Sequence, residues 1–354
     1  MYICDVYGIT LFIMQLEKNK IEELRNLLAT PQKIVILSHT NPDGDAIGSS
    51  LAWAEILKCE GHDVTCIVPN KYPYYLEFMP NCESMVIYKS DEAAAAKAVK
   101  SADIIFCLDF HTMSRLDGLS DLIDENQHAK RVLIDHHLDP MEDFDLMLSY
   151  PKASSTCYLV ALIIEMLYGV ERISRDMAEN LFVGMMTDTG NFAFSSVTPD
   201  VFRVVSILAA TGISIPDIHV NVYNSFTEGR ARLFGYVINR KMKIFHNGTV
   251  AHMSLTADEL KRFWFQQGDS EGFVNYPLTI KKMKMSAIFT EHSDFIRVSL
   301  RSRGDIDVNI FAQRYFHGGG HKNAAGGKSF MSMDETIKFY EQCVKDYAAE
   351  GLLK

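Results

Sequence analysis

The stretch that decides the fold runs from residue 33 to residue 45 and reads KIVILSHTNPDGD. Its first part, Lys33 to Ser38, is a short β-branched run of the kind that forms a buried strand. A polar turn that contains glycine follows it. A pattern with one apolar side then predicts a helix from about Ala46 to Cys59. A strand that leads through a polar loop into a helix is the opening unit of a parallel sheet.

Outward from this unit, the same alternation repeats through the first half of the chain. Further strands are predicted at Asp63 to Val68, Asp103 to Leu108 and Arg131 to Asp135, and helices at Ala93 to Val99 and Thr156 to Leu167. Helical patterns continue from Ser174 to Val205, with a break at Thr187 to Gly190. We therefore predict an α/β domain with a parallel sheet and helices on both faces.

The second half of the chain has a different texture. Gly212, Pro216 and scattered asparagines indicate a linker over residues 212–226. The elements predicted after it are a connecting helix (Glu228 to Lys241), two alternating strands (Met283 to Thr290 and Phe295 to Arg301), a helix (Val308 to Phe316), a glycine loop and a terminal helix (Asp334 to Ala348). These elements predict a smaller α+β domain.

The predicted organisation has three parts. Residues 1–211 form the first domain, within which residues 1–14 are either an extra strand or an upstream extension. Residues 212–241 form the linker and connecting helix, and residues 242–354 form the second domain.

Composition limits the classes of protein to which the chain belongs. Of its 354 residues, 47% are apolar and 23% are charged, which excludes a disordered chain. No apolar stretch reaches the length of a bilayer span, so we expect no membrane segment. Seven cysteines with no C-x-x-C pair favour a reduced, cytoplasmic protein. The formal net charge of −10 argues against a long nucleic-acid track but leaves room for a local phosphate site.

Aspartates and histidines follow the predicted strands at the points where they end. The candidates are His39, Asp43 and Asp45 after the first strand, Asp109 after the third, Asp135, His136 and His137 after the fourth, and Asp188 at the helical break. Ligands collect at the carboxyl ends of parallel strands.

Each residue alone has an ordinary explanation, such as a helix cap for Asp45. Together, the five aspartates at one edge repel one another unless cations neutralise them, and two divalent cations would balance four of the carboxylate charges. Carboxylates with imidazoles and no thiolate suit Mn²⁺ first, with Mg²⁺ and Co²⁺ as alternatives.

These motifs, in this order, resemble the four motifs of the DHH phosphoesterase superfamily. The run from Gly318 to Gly327 (GGGHKNAAGG) resembles the signature of the DHHA1 domain, which follows the DHH domain in many members. The likeness extends from about residue 30 to the end of the chain. Within the superfamily, the chain is most similar to the nanoRNases and pAp phosphatases, two-domain proteins of this size.

The resemblance implies a role for each candidate residue. One metal would be held by His39, Asp43 and Asp109, and a second by Asp45, Asp109, His136 and Asp188, with Asp109 as the bridge. Asp135 would orient a ligand imidazole, and His137 would contact the scissile phosphate. Substrate-binding residues would be Arg301, Gly318, Gly319, Gly320 and His321.

The function expected from this resemblance is hydrolysis of short oligoribonucleotides, of 3'-phosphoadenosine 5'-phosphate (pAp), or of both, by two-metal activation of water. A linear or cyclic dinucleotide phosphodiesterase would use the same residues. A RecJ-like single-strand exonuclease fits less well because the chain lacks an obvious basic track. A non-catalytic nucleotide sensor is disfavoured because no expected ligand is missing. The sequence leaves open whether the protein is a homodimer.

Overall fold

A computed structural model describes residues 14–353 and divides the chain into two compact units, which meet in sequence between Ser225 and Phe226. The interpretation of residues 1–14 as an extension falls almost entirely outside the described residues. No single described helix has the length and apolar character needed to cross a membrane, and only one pair of helices, bent by 108°, passes that test together.

The first unit is built on a six-stranded sheet whose strands are all parallel. Its strands are β1 (Lys33–Leu37), β2 (Asp63–Val68), β3 (Val86–Ile87), β4 (Ile104–Leu108), β5 (Lys130–Asp135) and β6 (Leu146–Ser149). They lie in the order β3-β2-β1-β4-β5-β6. The order reverses between β1 and β4, which is where a doubly wound sheet opens a crevice at its carboxyl edge.

Helices cover both faces of this sheet, as predicted. They are α1 (Lys18–Leu27), α2 (Gly44–Cys59), α3 (Glu92–Ser101), α4 (Leu119–Glu125), α5 (Thr156–Tyr168), α6 (Arg175–Asp188), α7 (Pro199–Ala210) and α8 (Ile215–Tyr223). Alternate residues of β1 show the two layers. Ile34 and Ile36 belong to the core formed with α2, α5 and α6, whereas Val35 and Leu37 belong to the core formed with α3 and α4.

The segment expected as a linker contains a helix instead. Helix α8 begins after Ser214, whose side chain caps it, and Pro216 lies in its first turn, where a missing amide hydrogen costs little. Ile218 and Val222 of α8 are buried in the core of the first unit. The position of the boundary between the functional domains stays a prediction.

The second unit contains a mixed sheet with helices. Its strands are β7 (Lys243–Phe245), β8 (Val250–Leu255), β9 (Met285–Glu291), β10 (Ile296–Ser302), β11 (Gly319–His321) and β12 (Ala324–Ser329). They lie in the order β11-β12-β10-β9-β8-β7, with only β8 and β9 parallel. Its helices are α9 (Glu228–Tyr236), which continues as a π-helical turn over Val237–Lys241, α10 (Ala257–Arg262), α11 (Val308–Tyr315) and α12 (Met333–Ala349).

The glycine-rich run is a hairpin and not the loop that was expected. Strand β11 pairs with β12, so that Gly319 lies opposite Gly326. A Cβ atom on Gly318 would overlap the carbonyl oxygen of Gly326. Close approach of the two strands therefore explains why glycine is needed here.

Candidate metal centre

The carboxyl ends of β1 and β4 bring the first group of candidate ligands together. Nε2 of His39 lies 3.9 Å from Oδ2 of Asp43 and 3.5 Å from Oδ2 of Asp109. These separations exceed a hydrogen bond of about 3 Å, and they suit atoms that share one cation. The ring is fixed by its other nitrogen, Nδ1, which lies 3.0 Å from the carbonyl oxygen of Thr40.

A second group forms where β5, α2 and α6 meet. Nε2 of His136 lies 3.8 Å from Oδ2 of Asp45, 3.6 Å from Oδ1 of Asp109 and 3.4 Å from Oδ2 of Asp188. Nδ1 of His136 faces the carbonyl oxygen of Ala153 at 3.3 Å, which directs Nε2 towards the carboxylates. The structure thus brings together the ligand set that the resemblance implied for a second metal.

Asp109 belongs to both groups through different oxygen atoms. Its Oδ2 faces His39, and its Oδ1 faces His136 and accepts a hydrogen bond of 3.0 Å from the hydroxyl of Thr156. The residue is buried, at 2% exposure, and has a left-handed backbone with φ of 64°. Strained backbone of this kind persists where the surrounding structure enforces it. Asp109 is therefore placed to bridge two cations.

Asp43 and Asp45, at the start of α2, are held by backbone amides at the first turns of two helices. Oδ1 of Asp43 accepts hydrogen bonds from the amides of Asp45 and Ala46 and so caps α2. Both oxygens of Asp45 accept amides at the start of α5, from Thr156 at 2.6 Å and from Cys157 at 2.8 Å. The cap suggested for Asp45 is thus provided by Asp43, and Asp45 is instead locked against another helix. Each keeps lone pairs for a cation.

Close contact between α2 and α6 brings Asp45 near Asp188. A Cβ atom on Gly44 would overlap the side chain of Thr187, and one on Gly184 would overlap Cys157 and crowd Asp45. Glycine at both positions lets the two helices approach closely. This requirement depends on tertiary contacts, and no local pattern in the sequence marks it.

The pKa values reflect the crowding of charge. Burial, reinforced by the neighbouring aspartates, raises the pKa of Asp109 well above its ordinary value. Burial also raises the pKa of Asp45. For His136, burial lowers the pKa, but Asp188 and Asp45 outweigh it and the net shift is upward. The site therefore attracts protons when no other cation neutralises it.

The residues fit a pair of hydrated divalent cations. Oxygen and imidazole donors of the two groups face one another at separations of 3.4 to 3.9 Å. Beside them in sequence, the hydroxyls of Ser38, Thr40 and Ser154 are buried and have no hydrogen-bond partner among the described residues. Such hydroxyls need partners, and waters on a bound metal would supply them.

The carboxylate of Asp135 contacts the imidazole of His137. Its Oδ1 lies 2.7 Å from Nδ1 of His137, and its Oδ2 accepts the amide of His137 at 3.1 Å. The expectation that Asp135 orients a metal-ligating ring stays a prediction, and the imidazole that its carboxylate contacts is that of His137. The reason is the alternation of side chains along extended chain: residues 135 and 137 share a side, and residue 136 faces the other way.

Two further residues of this region were not among the expected ones. The ring of His111 stacks on that of His137, with centroids 5.3 Å apart and 25° between the planes. Its Nδ1 is buried without a hydrogen-bond partner among the described residues. Arg115 lies close enough to His39 that its charge, together with burial, lowers the pKa of His39 to about 4. Both residues follow Asp109 closely in sequence; that closeness marks Arg115 as a weak candidate, and it could have identified His111 as well.

The candidate substrate-binding residues lie in the second unit, on strands β10 and β11 and at the residue before β11. Arg301 and His321 both lie opposite Ala324 in the register of β10, β12 and β11, so they occupy the same face of the sheet. The amide of Gly318 donates to Ala312 and that of Gly320 to Asn309. These two glycine amides are therefore not available to a phosphate, contrary to expectation.

The fold and this site define a phosphoesterase of the α/β class with a candidate metal centre. Residues 33–185 match the DHH family, N-terminal domain, and residues 247–346 match the DHHA1 domain. The chain belongs to the DHH family of phosphoesterases, and it is a hydrolase.

Relatives and solved structures place the chain more closely. It is 30% identical to the bifunctional oligoribonuclease and PAP phosphatase NrnA of Thermus thermophilus, over 90% of this chain and 91% of that protein. A crystal structure of an exopolyphosphatase-related protein from Bacteroides fragilis superposes with a TM-score of 0.89, at 38% identity, over 95% of this chain and 98% of that one. The cyclic-di-AMP phosphodiesterase PdeA of Listeria monocytogenes is 24% identical over 90% of this chain but only 48% of its own length.

Proposed function

We propose that this protein hydrolyses short oligoribonucleotides and pAp with a pair of Mn²⁺ ions. The observation that carries the proposal is the position of Asp109 between two groups of candidate ligands. Each of its two carboxylate oxygens faces a different group. The similarity to the Thermus thermophilus oligoribonuclease and PAP phosphatase, which extends over nearly all of both chains, supports the choice of substrate.

Six residues would hold the metals. The first metal would be bound by His39, Asp43 and Asp109, and the second by Asp45, Asp109, His136 and Asp188. When bound, the pair supplies the Lewis acidity that activates water and neutralises charge on the phosphoryl oxygens. Mn²⁺ is the first choice because the donors are hard carboxylates with two imidazoles, and Mg²⁺ and Co²⁺ are alternatives.

His137 is the residue proposed to contact the scissile phosphate. Because Asp135 accepts a hydrogen bond from Nδ1, that nitrogen carries the proton and the orientation of the ring is fixed. Asp135 is almost fully buried, and although burial raises its pKa, the bond to His137 contributes to a net lowering. The ionised carboxylate thereby stabilises positive charge on His137 as charge develops on the phosphate.

The second unit is proposed to bind the rest of the substrate. Arg301 can bind a phosphate through two guanidinium hydrogens, and His321 lies on the same sheet face. Of the three glycines expected to bind substrate, only Gly319 is still proposed to do so. Gly318 and Gly320 allow the close packing of the hairpin.

A cyclic or linear dinucleotide phosphodiesterase is the second candidate. The similarity to the Listeria phosphodiesterase favours it, and the same ligands would serve. Its substrates differ from pAp in carrying a second nucleoside, so the discrimination must lie in contacts away from the metals.

The test is a substrate panel with added Mn²⁺. It compares kcat/KM for pAp, ribonucleotides of two to five residues, cyclic dinucleotides and pyrophosphate. We expect pAp and the short linear ribonucleotides to be the best substrates, and activity to disappear in Asp188→Asn. The matched control is Asp145→Asn, which removes a carboxylate at the start of β6 that pairs with Lys130. Best activity on cyclic dinucleotides would favour the second candidate, and best activity on pyrophosphate would overturn both.

A further inference from the structure

The outer face of β10 and β12 carries a second cluster of positive charge besides Arg301. Side chains alternate along β10, so Arg297, Ser299 and Arg301 share one face, while Val298 and Leu300 are buried in the core on the other. Arg297 lies opposite Lys328 of β12. The same register that joins Arg301 with His321 therefore places Arg297 and Lys328 on that face as well.

Arg297 and Lys328 form a like-charge pair across two strands. Directly opposite residues have Cβ atoms about 5 Å apart, and like charges in that arrangement destabilise a sheet. Both side chains are exposed, and neither forms an ion pair with a carboxylate within residues 14–353. An anion bound between them would remove the repulsion.

An aromatic pair adjoins these two cations. The rings of His292 and Phe295 are stacked, with centroids 4.9 Å apart and 10° between their planes, and Nζ of Lys328 lies 4.8 Å from the centroid of Phe295. Burial together with Arg297 and Lys328 lowers the pKa of His292, which places all of these groups in one electrostatic neighbourhood. Cations next to stacked rings are the combination that binds single-stranded nucleic acid.

Small residues separate this cluster from Arg301. Ser299 lies between the two arginines on β10, opposite Gly326 of β12, and Gly326 in turn lies opposite Gly319 of β11. At about 3.3 Å per residue, the Cα atoms of Arg297 and Arg301 are about 13 Å apart. On the β12 side of β10, the floor between the two arginines has no bulky side chains, and a strand of only a few nucleotides spans that distance.

We propose that Arg297 and Lys328, with the stacked rings of His292 and Phe295, form a distal phosphate and base subsite for oligoribonucleotides longer than a dinucleotide. The inference rests on the proposed function, because it assigns the length of the substrate that the same enzyme accepts. The subsite adds affinity for tri- to pentaribonucleotides and contributes nothing to pAp, whose two phosphates sit on one nucleoside. The subsite therefore affects oligoribonucleotides and not pAp, although both substrates are cleaved at the same active centre.

The experiment compares the double variant Arg297→Gln/Lys328→Gln with the wild type on pAp and on ribonucleotides of two to five residues. The matched control is Lys338→Gln/Lys345→Gln, which removes the same charge from exposed positions of α12, the helix that packs on the opposite face of the sheet. Each measurement is repeated at two salt concentrations, and thermal unfolding checks that all variants are folded.

We expect kcat/KM of the double variant to fall about tenfold for tri- to pentaribonucleotides, mostly through KM, and to stay within twofold for pAp and dinucleotides. The salt slope for the pentanucleotide should become shallower by about 0.7 for each phosphate that the variant no longer binds. Phe295→Ala should weaken the same long substrates and leave pAp unchanged.

An equal loss on pAp and pentanucleotide, or no greater loss than in the control, overturns the subsite while the proposed function stands. Failure of the wild type to cleave any oligoribonucleotide contradicts the proposed function itself, and the subsite with it.

Discussion

Asp135 and His137 form a hydrogen-bonded pair in which both oxygens of the carboxylate contact the same residue, one at the ring nitrogen Nδ1 and one at the backbone amide. The ring of His137 cannot rotate without breaking the first of these bonds. Its stacking on His111 restricts it further. The pair lies beside the candidate ligands, and His137 is the residue that we propose to contact the substrate phosphate.

The first prediction separates the roles of the two neighbouring histidines. His137→Ala should lower turnover about 100-fold or more, because a preorganised donor to the phosphate is removed. It should leave metal content largely intact. Asp135→Asn should lower turnover by about 10- to 100-fold, since the orientation of the ring is weakened. The measurements are kcat and metal content per protein, with His136→Ala as the comparison. Loss of one metal equivalent in His137→Ala would show that the roles of His136 and His137 are exchanged.

The second prediction concerns pH. Without metal, the pKa values of Asp109 and His136 are raised. Both groups therefore stay protonated at pH values at which they would ordinarily have lost a proton. A cation must displace those protons, so apparent metal affinity should rise with pH until the pH exceeds the raised values. His39 has a pKa of about 4 and is neutral near pH 7, so it contributes no proton.

Titration calorimetry with Mn²⁺ in two buffers of different ionisation enthalpy measures this release of protons. Asp145→Asn serves as the control, because the pKa of Asp145 is lowered and the residue already lacks a proton. Wild type and control should release the same number of protons at each pH, and that number should fall as the pH rises. Binding without proton release, or affinity that falls as pH rises, would contradict the electrostatics of the site.

The third prediction concerns the division of labour between the two units. A fragment of residues 1–225 keeps every candidate metal ligand and should bind Mn²⁺. It should hydrolyse oligoribonucleotides poorly, because Arg301 and His321 are absent. Metal content and kcat/KM on a trinucleotide are the measurements, with the full chain and Arg301→Ala as references. Full activity of the fragment would mean that the second unit does not bind substrate.

The fourth prediction concerns substrate length. The net charge of −10 repels a long polyanion, so affinity must come from a few local contacts. Efficiency should therefore be lower for RNA of about twenty-four residues than for RNA of a few residues. The salt dependence should be shallow, with a slope of log K against log salt of about −0.7 for each bound phosphate. The measurement is kcat/KM for labelled RNA at two salt concentrations. Equal efficiency on the longest RNA with a steep salt slope would favour a RecJ-like exonuclease.

Most of the first unit could be predicted from its sequence because local patterns and tertiary structure agree there. The run from Lys33 to Asp45 forms a strand, a turn and a helix, although α2 begins at Gly44 and not at Ala46 because Asp43 caps it. Helix α8 was missed because Pro216 and the nearby glycine suggest a linker, whereas proline is well tolerated in a first turn. The hairpin at Gly319 was missed because glycine disfavours strands in general.

The candidate ligands could be predicted because parallel strands deliver their following residues to one edge. The pairing of Asp135 with His137 could also have been predicted, since residues two apart in extended chain share a side. The glycine contacts between α2 and α6, and the hydroxyl of Thr156 on Asp109, could not. They join parts of the chain that are distant in sequence, and no local pattern marks them.

The central claim is that Asp109 bridges two metal ions, and the metal content of Asp109→Ala tests it most directly. The measurement is the number of Mn²⁺ ions bound per folded protein, determined by elemental analysis for wild type, Asp109→Ala and Asp145→Asn, together with kcat on pAp. We predict two ions in the wild type and in Asp145→Asn. Asp109→Ala should lose at least one ion and all measurable turnover. Two bound ions and most of the activity in Asp109→Ala would contradict the claim.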